Sequence, residues 1–356
     1  MQYDTVKKTT IVQFVIVSIA FSGFCLAQHE VTDLKFEKPP ECDSDISRTL
    51  QSLIKIQGTG GLVQDGLYLI THYGDRSVLF QNENQKAIDN PLINNTWRFC
   101  SLFSVAGENS AIMGRNWDNQ NVGSIIVSLN KPLRGYTSIS FSRAIDLGFP
   151  LNMDLEQIRS SELGNKLLLT PFYATDGINE YGLAVSIAGV KGTTHKPQNG
   201  KELVFNTFLV RKILDQARTI DQTVLLVNNY IPFDLDKNSL NAHFLIADSS
   251  GRSVILEYVR NHWNIVYAKK SWQALTNKQV YNRTDAELKE RCWRYRKIAQ
   301  TLEQANGTVN WESGMRLLQE VAQKGTCWSI IYSPVTKGIH FAVYQNWNVI
   351  YRLSEF

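Results

Sequence analysis

From residue 100 to the C-terminus, short apolar strand-like runs come in groups, and helical runs come in separate pairs between them. No other feature restricts the fold as much. Residues 100–106 and 111–116 read as a hairpin around Gly107-Glu108-Asn109. Residues 167–174 and 183–190 read as a second, turning between Asp176-Gly177 and Tyr181-Gly182. A helix is expected over about 202–218, and another opens with Thr219 and Gln222 in capping-box spacing and runs to about 230. Strands return at 243–247, 253–259 and 263–268, with Ser249-Ser250-Gly251 as a tight turn. Thr284 and Glu287 form a second capping box, opening a helix to about 304, and a further helix covers about 311–323. Strands at 328–333, 339–345 and 349–353 close the chain. Antiparallel strands in groups with helices in pairs predict an α+β fold, its sheets covered by helices. There is no internal repeat and no low-complexity tract.

The region before residue 100 has a different texture. Lys7 and Lys8 precede an apolar run over 11–24, and Cys25-Leu26-Ala27 supplies small residues near a cut, the pattern of a secretory signal peptide. The run is shorter than the roughly 18–20 residues that span a bilayer, so stable membrane insertion is not expected. Phe24 before Cys25 argues against a lipoprotein cut at that cysteine. Residues 1–27 are therefore read as a signal peptide and the protein as secreted, periplasmic or lumenal. Residues 28–99 contain Pro39, Pro40 and Gly58-Thr-Gly-Gly61, two strand-like runs at 66–72 and 77–81, and a turn-rich stretch over 82–96. They read as a pro-segment or small N-terminal subunit ahead of a catalytic domain over 100–356.

The formal charge of +4 over 356 residues is small, and the basic residues are scattered, which excludes a nucleic-acid groove. No His/Cys/Asp grouping has zinc spacing, and there is no phosphate loop or dinucleotide fingerprint, so neither metal nor cofactor is expected. Of six histidines, His243 lies within an apolar strand and reads as a core residue. No Cys-Gly-X-Cys-Trp context supports a papain-like pair. Asn94, Asn282 and Asn306 begin Asn-X-Thr triplets. Once Cys25 leaves with the signal, Cys42, Cys100, Cys292 and Cys327 remain. They allow two bridges, or one bridge with two thiols if Cys100 stays reduced.

Cys100 is the candidate nucleophile. If the 107–109 loop centres on Gly107–Glu108, Cys100 stands opposite Arg115, side chains on one face about 5 Å apart. A three-residue loop puts Asn116 there instead. An arginine beside a thiol depresses its pKa, as an activated cysteine requires, and Asp118 lies just past the strand end. The same spacing also describes a buried, inert cysteine with a surface arginine and aspartate.

Cys100-Ser-Leu-Phe followed by Gly114-Arg115-Asn116-Trp117-Asp118 resembles the start of the mature chain in the linear amide C–N hydrolase family. That family includes choloylglycine hydrolase, penicillin V acylase, acid ceramidase and N-acylethanolamine acid amidase. The same order continues through Asp176-Gly-Ile-Asn-Glu-Tyr-Gly-Leu183, His243-Phe-Leu-Ile-Ala-Asp248, Ile255-Leu-Glu-Tyr258 and Leu275-Thr276-Asn277. Cys292-Trp-Arg294-Tyr295 and Cys327-Trp-Ser-Ile-Ile-Tyr332 complete it. The resemblance implies an N-terminal-nucleophile hydrolase with a four-layer αββα sandwich of two antiparallel sheets. It implies that Cys100 is the nucleophile and that its own α-amino group, freed by cleavage after Phe99, is the base. An α-amine with a pKa near ~8 keeps a useful neutral fraction at neutral pH. By the same resemblance Arg115 sits beside the thiol, Asp118 holds the amine, Asn277 forms part of the oxyanion hole and Arg294 is the second arginine of the site. One position departs: bile-salt-hydrolysing relatives carry an asparagine near the end of the strand after Asn-Glu-X-Gly-Leu, where this chain reads Ala188-Gly189-Val190.

The function expected is a secreted cysteine amidase acting on a small-molecule N-acyl amide. Acyl transfer to an amine, as in the isopenicillin N acyltransferase relative, is the alternative within the class, and a catalytically silent binding protein the alternative outside it. The sequence leaves association into an oligomer open.

Overall fold

The computed structural model describes residues 30–356 apart from 40–41, 43, 57–65, 76, 90–99, 108–109, 120–122, 152, 192–197 and 234–239. The expected signal peptide, the bond before Cys100, the tip of the first hairpin and Asn94 lie outside the described residues.

Two large sheets face each other. In spatial order, the seven-stranded sheet runs Glu30–Asp33, Val349–Leu353, Gly338–Val343, Thr326–Ser333, Ile112–Asp118, Ser101–Val105 and Trp272–Leu275. The nine-stranded sheet runs His262–Tyr267, Ser253–Val259, Leu240–Ala247, Ala184–Lys191, Asp176–Asn179, Ser138–Arg143, Ile125–Lys131, Leu67–Tyr73 and Ile54–Ile56. Helices Asp285–Arg291, Trp293–Gln304 and Trp311–Glu320 pack on the outer side of the first sheet. Helices Asn206–Gln216 and Ile220–Val227, with the 3-10 helix Leu163–Tyr173, pack against the second. The result is the expected four-layer αββα arrangement. Within these two sheets the pairings are antiparallel with two exceptions, each involving residues before 100: Glu30–Asp33 runs parallel to Val349–Leu353, and Leu67–Tyr73 runs parallel to Ile125–Lys131; a separate two-stranded sheet pairs Glu202–Phe205 parallel to Tyr230–Phe233. No described helix is long and apolar enough to cross a membrane.

Strand alternation assigns the side chains to layers. From the first hairpin Leu102, Met113 and Trp117 enter the core between the sheets, while Phe103, Val105 and Ile112 turn outward under the helices. Gly114 faces Phe103 across the ladder, and a Cβ there would lie 2.4 Å from Phe103 Cε1. Only glycine fits that approach. Since both faces are covered, these strands are buried along their whole length and carry little polar alternation.

Several local expectations change. Residues 77–81 are the start of a helix, Ser77–Asp89, and 167–173 fall within the 3-10 helix Leu163–Tyr173, which contains Pro171 and ends before the extended Ala174. The strand of the second hairpin begins instead at Asp176. Residues 202–205 form a short strand before the Asn206–Gln216 helix. The helix opened by the Thr284/Glu287 capping box, which is present in full, stops at Arg291 and restarts at Trp293, because Cys292 adopts an extended backbone.

Candidate active site

Cys100 sits at the entry of the strand Ser101–Val105, fully buried in the core between the sheets. The ladder pairs Leu102 with Arg115 and Ser101 with Asn116, so neither expected register holds and Cys100 does not stand directly opposite Arg115. The actual register differs from the first of them by two residues, which preserves the face. Arg115 is consequently a diagonal neighbour, its Nη2 3.8 Å from Cys100 Sγ.

Arg115 is itself fully buried, with both terminal nitrogens engaged and only Nε without a hydrogen-bond partner among the described residues. Its Nη1 pairs with the Asp176 carboxylate and donates to Thr175 Oγ1 at 2.9 Å, and Nη2 donates to the Ile187 carbonyl at 3.0 Å. The guanidinium stacks on Trp117, 4.3 Å from the ring centroid. Asp176 is also held: Tyr332 donates to Oδ1 at 2.6 Å, and Thr175 Oγ1 and Trp328 Nε1 donate to Oδ2 at 3.1 and 3.3 Å. With a carboxylate of its own, Arg115 does not dominate the thiol. Burial pushes the Cys100 thiol up, against the pull of the Arg115 charge and of the hydrogen bonds from Arg115 and the Asp118 backbone. This reverses the expectation of a depressed thiol.

Asp118 ends the strand Ile112–Asp118, 1% exposed. Thr326 donates to its Oδ1 at 2.6 Å, but Oδ2 has no hydrogen-bond partner among the described residues; Arg294 Nη1 stands 3.7 Å away. Burial pushes this carboxyl up to about 7, against the Thr326 hydrogen bond and the charges of Arg294 and Arg115.

The helix start at Trp293, set by the Cys292 break, delivers Arg294. Its Nη1 donates to the Cys100 carbonyl at 2.5 Å and to Ser101 Oγ at 2.9 Å, and its Nη2 donates to Asn277 Oδ1 at 2.9 Å. Asn277 spends one amide hydrogen on the Gly189 carbonyl at 2.8 Å, which leaves its other N–H for a ligand. The Ala188-Gly189-Val190 departure thus falls in direct contact with Asn277. The four other residues singled out in the sequence converge on Cys100, Arg115, Asp118 and Arg294 through side-chain or backbone hydrogen bonds to it and Asn277 through Arg294.

Three supports escaped sequence reasoning. Asp176 reads as half of an Asp-Gly turn but occupies an inward strand position. Asn179, three residues on, accepts from the Tyr181 and Leu183 amides and donates to the Leu214 and Ala217 carbonyls, tying the hairpin turn to the Asn206–Gln216 helix. Gly182 completes that turn with φ 78°. His243 is the buried residue expected, yet it also positions: Nε2 donates to the Thr276 carbonyl at 2.7 Å and Nδ1 lies 2.7 Å from Glu257, whose carboxylate accepts from the Val280 and Tyr281 amides. That pair fixes the loop carrying Asn277. Cys100, Cys292 and Cys327 are thiols. No group of three or more metal-ligating side chains is found among the described residues.

A sequence model of the acyl-coenzyme A:6-aminopenicillanic acid acyl-transferase family matches residues 170–353, just over half of the chain. The chain belongs to this family. Penicillin V acylase of Pectobacterium atrosepticum is 27% identical over 119 residues, 30% of this chain; the match spans only 31% of that relative's length. Among solved structures, penicillin V acylase from Agrobacterium tumefaciens superposes with a TM-score of 0.51 at 15% identity, covering 72% of this chain and 86% of its own. A variant of conjugated bile acid hydrolase from Clostridium perfringens gives 0.52 at 14% identity, covering 72% and 92%. These likenesses show that the chain shares the four-layer fold of penicillin V acylase and conjugated bile acid hydrolase.

Proposed function

We propose that this chain is a secreted cysteine amidase of the N-terminal-nucleophile type, acting on a non-peptide linear amide once the bond between Phe99 and Cys100 is cut. The observation that carries the reading is Asp118 Oδ2: it belongs to a carboxylate 1% exposed, has no hydrogen-bond partner among the described residues, and lies 3.7 Å from the Arg294 nitrogen that also holds the Cys100 carbonyl. An α-ammonium on Cys100 is a group of the right charge for it.

In the cut, Cys100 Sγ attacks the Phe99 carbonyl, the C–N bond breaks to a thioester, and water releases the preceding segment's carboxylate and the free amine. In turnover the neutral amine takes the thiol proton, Sγ attacks the substrate amide carbonyl, and the second Asn277 N–H stabilises the oxyanion. The protonated amine then gives its proton to the leaving nitrogen, and water hydrolyses the acyl-enzyme to the acid. Arg115 and Arg294 hold the strand and carbonyl in place.

The segment before the cut contributes Glu30–Asp33 to one sheet and Ile54–Ile56 and Leu67–Tyr73 to the other. It therefore stays bound after cleavage as an N-terminal subunit. Intact mass and N-terminal sequencing of exported protein test processing: two chains, one beginning at Cys100, are expected. A single chain beginning near Gln28 that still hydrolyses amides would overturn the mechanism. Cys100→Ala abolishes both processing and turnover. The family's description favours a second reading, acyl transfer to an amine. Product analysis with competing amine acceptors separates the two.

A further inference from the structure

Away from Cys100, a cavity of about 450 Å³ opens where the helices Ser77–Asp89 and Asn206–Gln216 meet the ends of the strands Leu67–Tyr73 and Ile125–Lys131. None of the residues around Cys100 lines it. Its volume is within the range of small-molecule sites.

The walls have two characters. Phe80, Phe172, Pro132 and Pro171 form an apolar side, the two rings meeting edge-on at 5.6 Å. Arg211 and Asn130 form a polar side. Arg211 is 3% exposed; its Nη2 donates to Ser138 Oγ at 2.7 Å and to Asp215 Oδ1 at 2.5 Å, while Nε and Nη1 have no acceptor among the described residues. Asn130 is 5% exposed, and its Nδ2 reaches the Ser128 and Ser138 carbonyls and Ser140 Oγ at 3.3, 3.4 and 3.2 Å. Two of those three partners can only accept, which fixes the amide orientation and leaves Oδ1 as an acceptor without a donor. Buried polar atoms are normally satisfied, so an Arg211 short of acceptors and an Asn130 short of a donor on the wall of one cavity call for a ligand, which meets the unpaired atoms, each under 1 Å² exposed as the wall stands, once those side chains turn inward.

We propose that this cavity is a second binding site, for a small carboxylate that carries a neighbouring N–H or O–H and an apolar body. The carboxylate accepts from Arg211, the N–H or O–H donates to Asn130 Oδ1, and the body lies against Phe80 and Phe172. A single negative charge fits better than a phosphate dianion, because the lining cations Lys131, Arg134, Arg211 and Lys212 already face the carboxylates of Asp75, Glu202 and Asp215. Lys212, its Nζ 4.3 Å from the Phe80 ring centroid, adds positive charge beside the apolar wall. Phe80 precedes residue 100 and Arg211 follows it, so an occupant bridges the two pieces that cleavage would create.

The test is independent of turnover. Full-length Cys100→Ala protein is titrated calorimetrically with N-acetyl-L-leucine and with N-acetyl-L-leucinol, the analogue lacking the carboxylate. Saturable one-site binding is expected, weaker for the alcohol by about tenfold or more, as loss of a charge-assisted hydrogen bond predicts. Arg211→Met weakens the acid by a similar factor. Should that variant fail to fold, Phe80→Ala at the half-buried wall lowers affinity several-fold. Bound ligand slows amide exchange in the helices Ser77–Asp89 and Asn206–Gln216. No saturation up to the solubility of the acid, equal affinity for acid and alcohol, unchanged affinity in the folded variants, or protection confined to 100–118 would each overturn the site.

Discussion

Two buried arginine–carboxylate pairs flank Cys100, and they are built to opposite specifications. Arg115 and Asp176 form a closed pair. Asp176 accepts on both oxygens, and Arg115 is further spent on Thr175, the Ile187 carbonyl and the Trp117 ring. Arg294 and Asp118 form an open pair: 3.7 Å apart, with the arginine turned to the Cys100 carbonyl, Ser101 and Asn277, and one carboxylate oxygen left over. A closed pair in a dry core specifies position, since every charge is already used. An open pair is poorly stabilised and keeps capacity for something that arrives later. Fold and chemistry are thus divided between two sets of similar residues within reach of one thiol.

The division is most easily broken at Asp176. Asp176→Asn leaves Arg115 buried without its counter-charge, so a loss of roughly 3–5 kcal/mol of stability is expected in denaturant unfolding. A loss below ~1 kcal/mol would mean that the closed pair is not structural. Next in size is Asn277→Ala, which removes a donor for the oxyanion: turnover falls about 10²–10³-fold with the unfolding midpoint nearly unchanged. If instead the midpoint collapses and the residual turnover per folded molecule is normal, the asparagine belongs to the scaffold.

Asp118 sharpens the comparison through pH. Its folded pKa, about 7, lies above the ordinary 3.8. A raised carboxyl costs no stability below about pH 4, and the cost grows up to about pH 7 with a slope approaching ~1.4 kcal/mol per unit. His340, which burial lowers to about 4, contributes the opposite slope over part of this range. The quantity to read is therefore the difference between uncut Cys100→Ala protein and the same protein with Asp118→Asn, by thermal unfolding from pH 4 to 8. The added substitution should stabilise near pH 7 and be neutral near pH 4. A flat difference would remove the open pair from the argument. The smallest effect is expected from Thr326→Val, which deletes the one short hydrogen bond to Asp118 and moves that inflection up by about one pH unit, about 1.4 kcal/mol. No movement would assign the hydroxyl to packing.

The open pair was legible in the sequence, and of the closed one only Arg115 was. Cys100, Arg115, Asp118, Asn277 and Arg294 sit in recognisable local strings, and the Thr284/Glu287 box announces the helix that leads to Arg294. Asp176 was hidden because Asp-Gly is a strong turn signal, and only the sheet register reveals that its side chain faces Arg115. The hairpin register slipped by two because loop length is weakly encoded in Gly107-Glu108-Asn109, yet a two-residue slip keeps every side chain on its face. Ser77-Val-Leu-Phe and Leu167-Leu-Leu are apolar runs too short for their period to separate strand from helix, and neighbouring layers decided both. The parallel pairings of residues before 100 depend on partners far along the chain, up to 319 positions away at Asp33 and Arg352.

That last feature has a kinetic meaning. Two sheets that each enclose strands from both sides of residue 100 can be assembled from one continuous polymer, where the ends are tethered and pairing is intramolecular. After the proposed scission the same contacts join two molecules. Reassembly from the denatured state then depends on concentration, and a fragment missing its partner exposes raw sheet edges. The mature protein would fold once, as a precursor, and thereafter last only as long as its unfolding barrier allows.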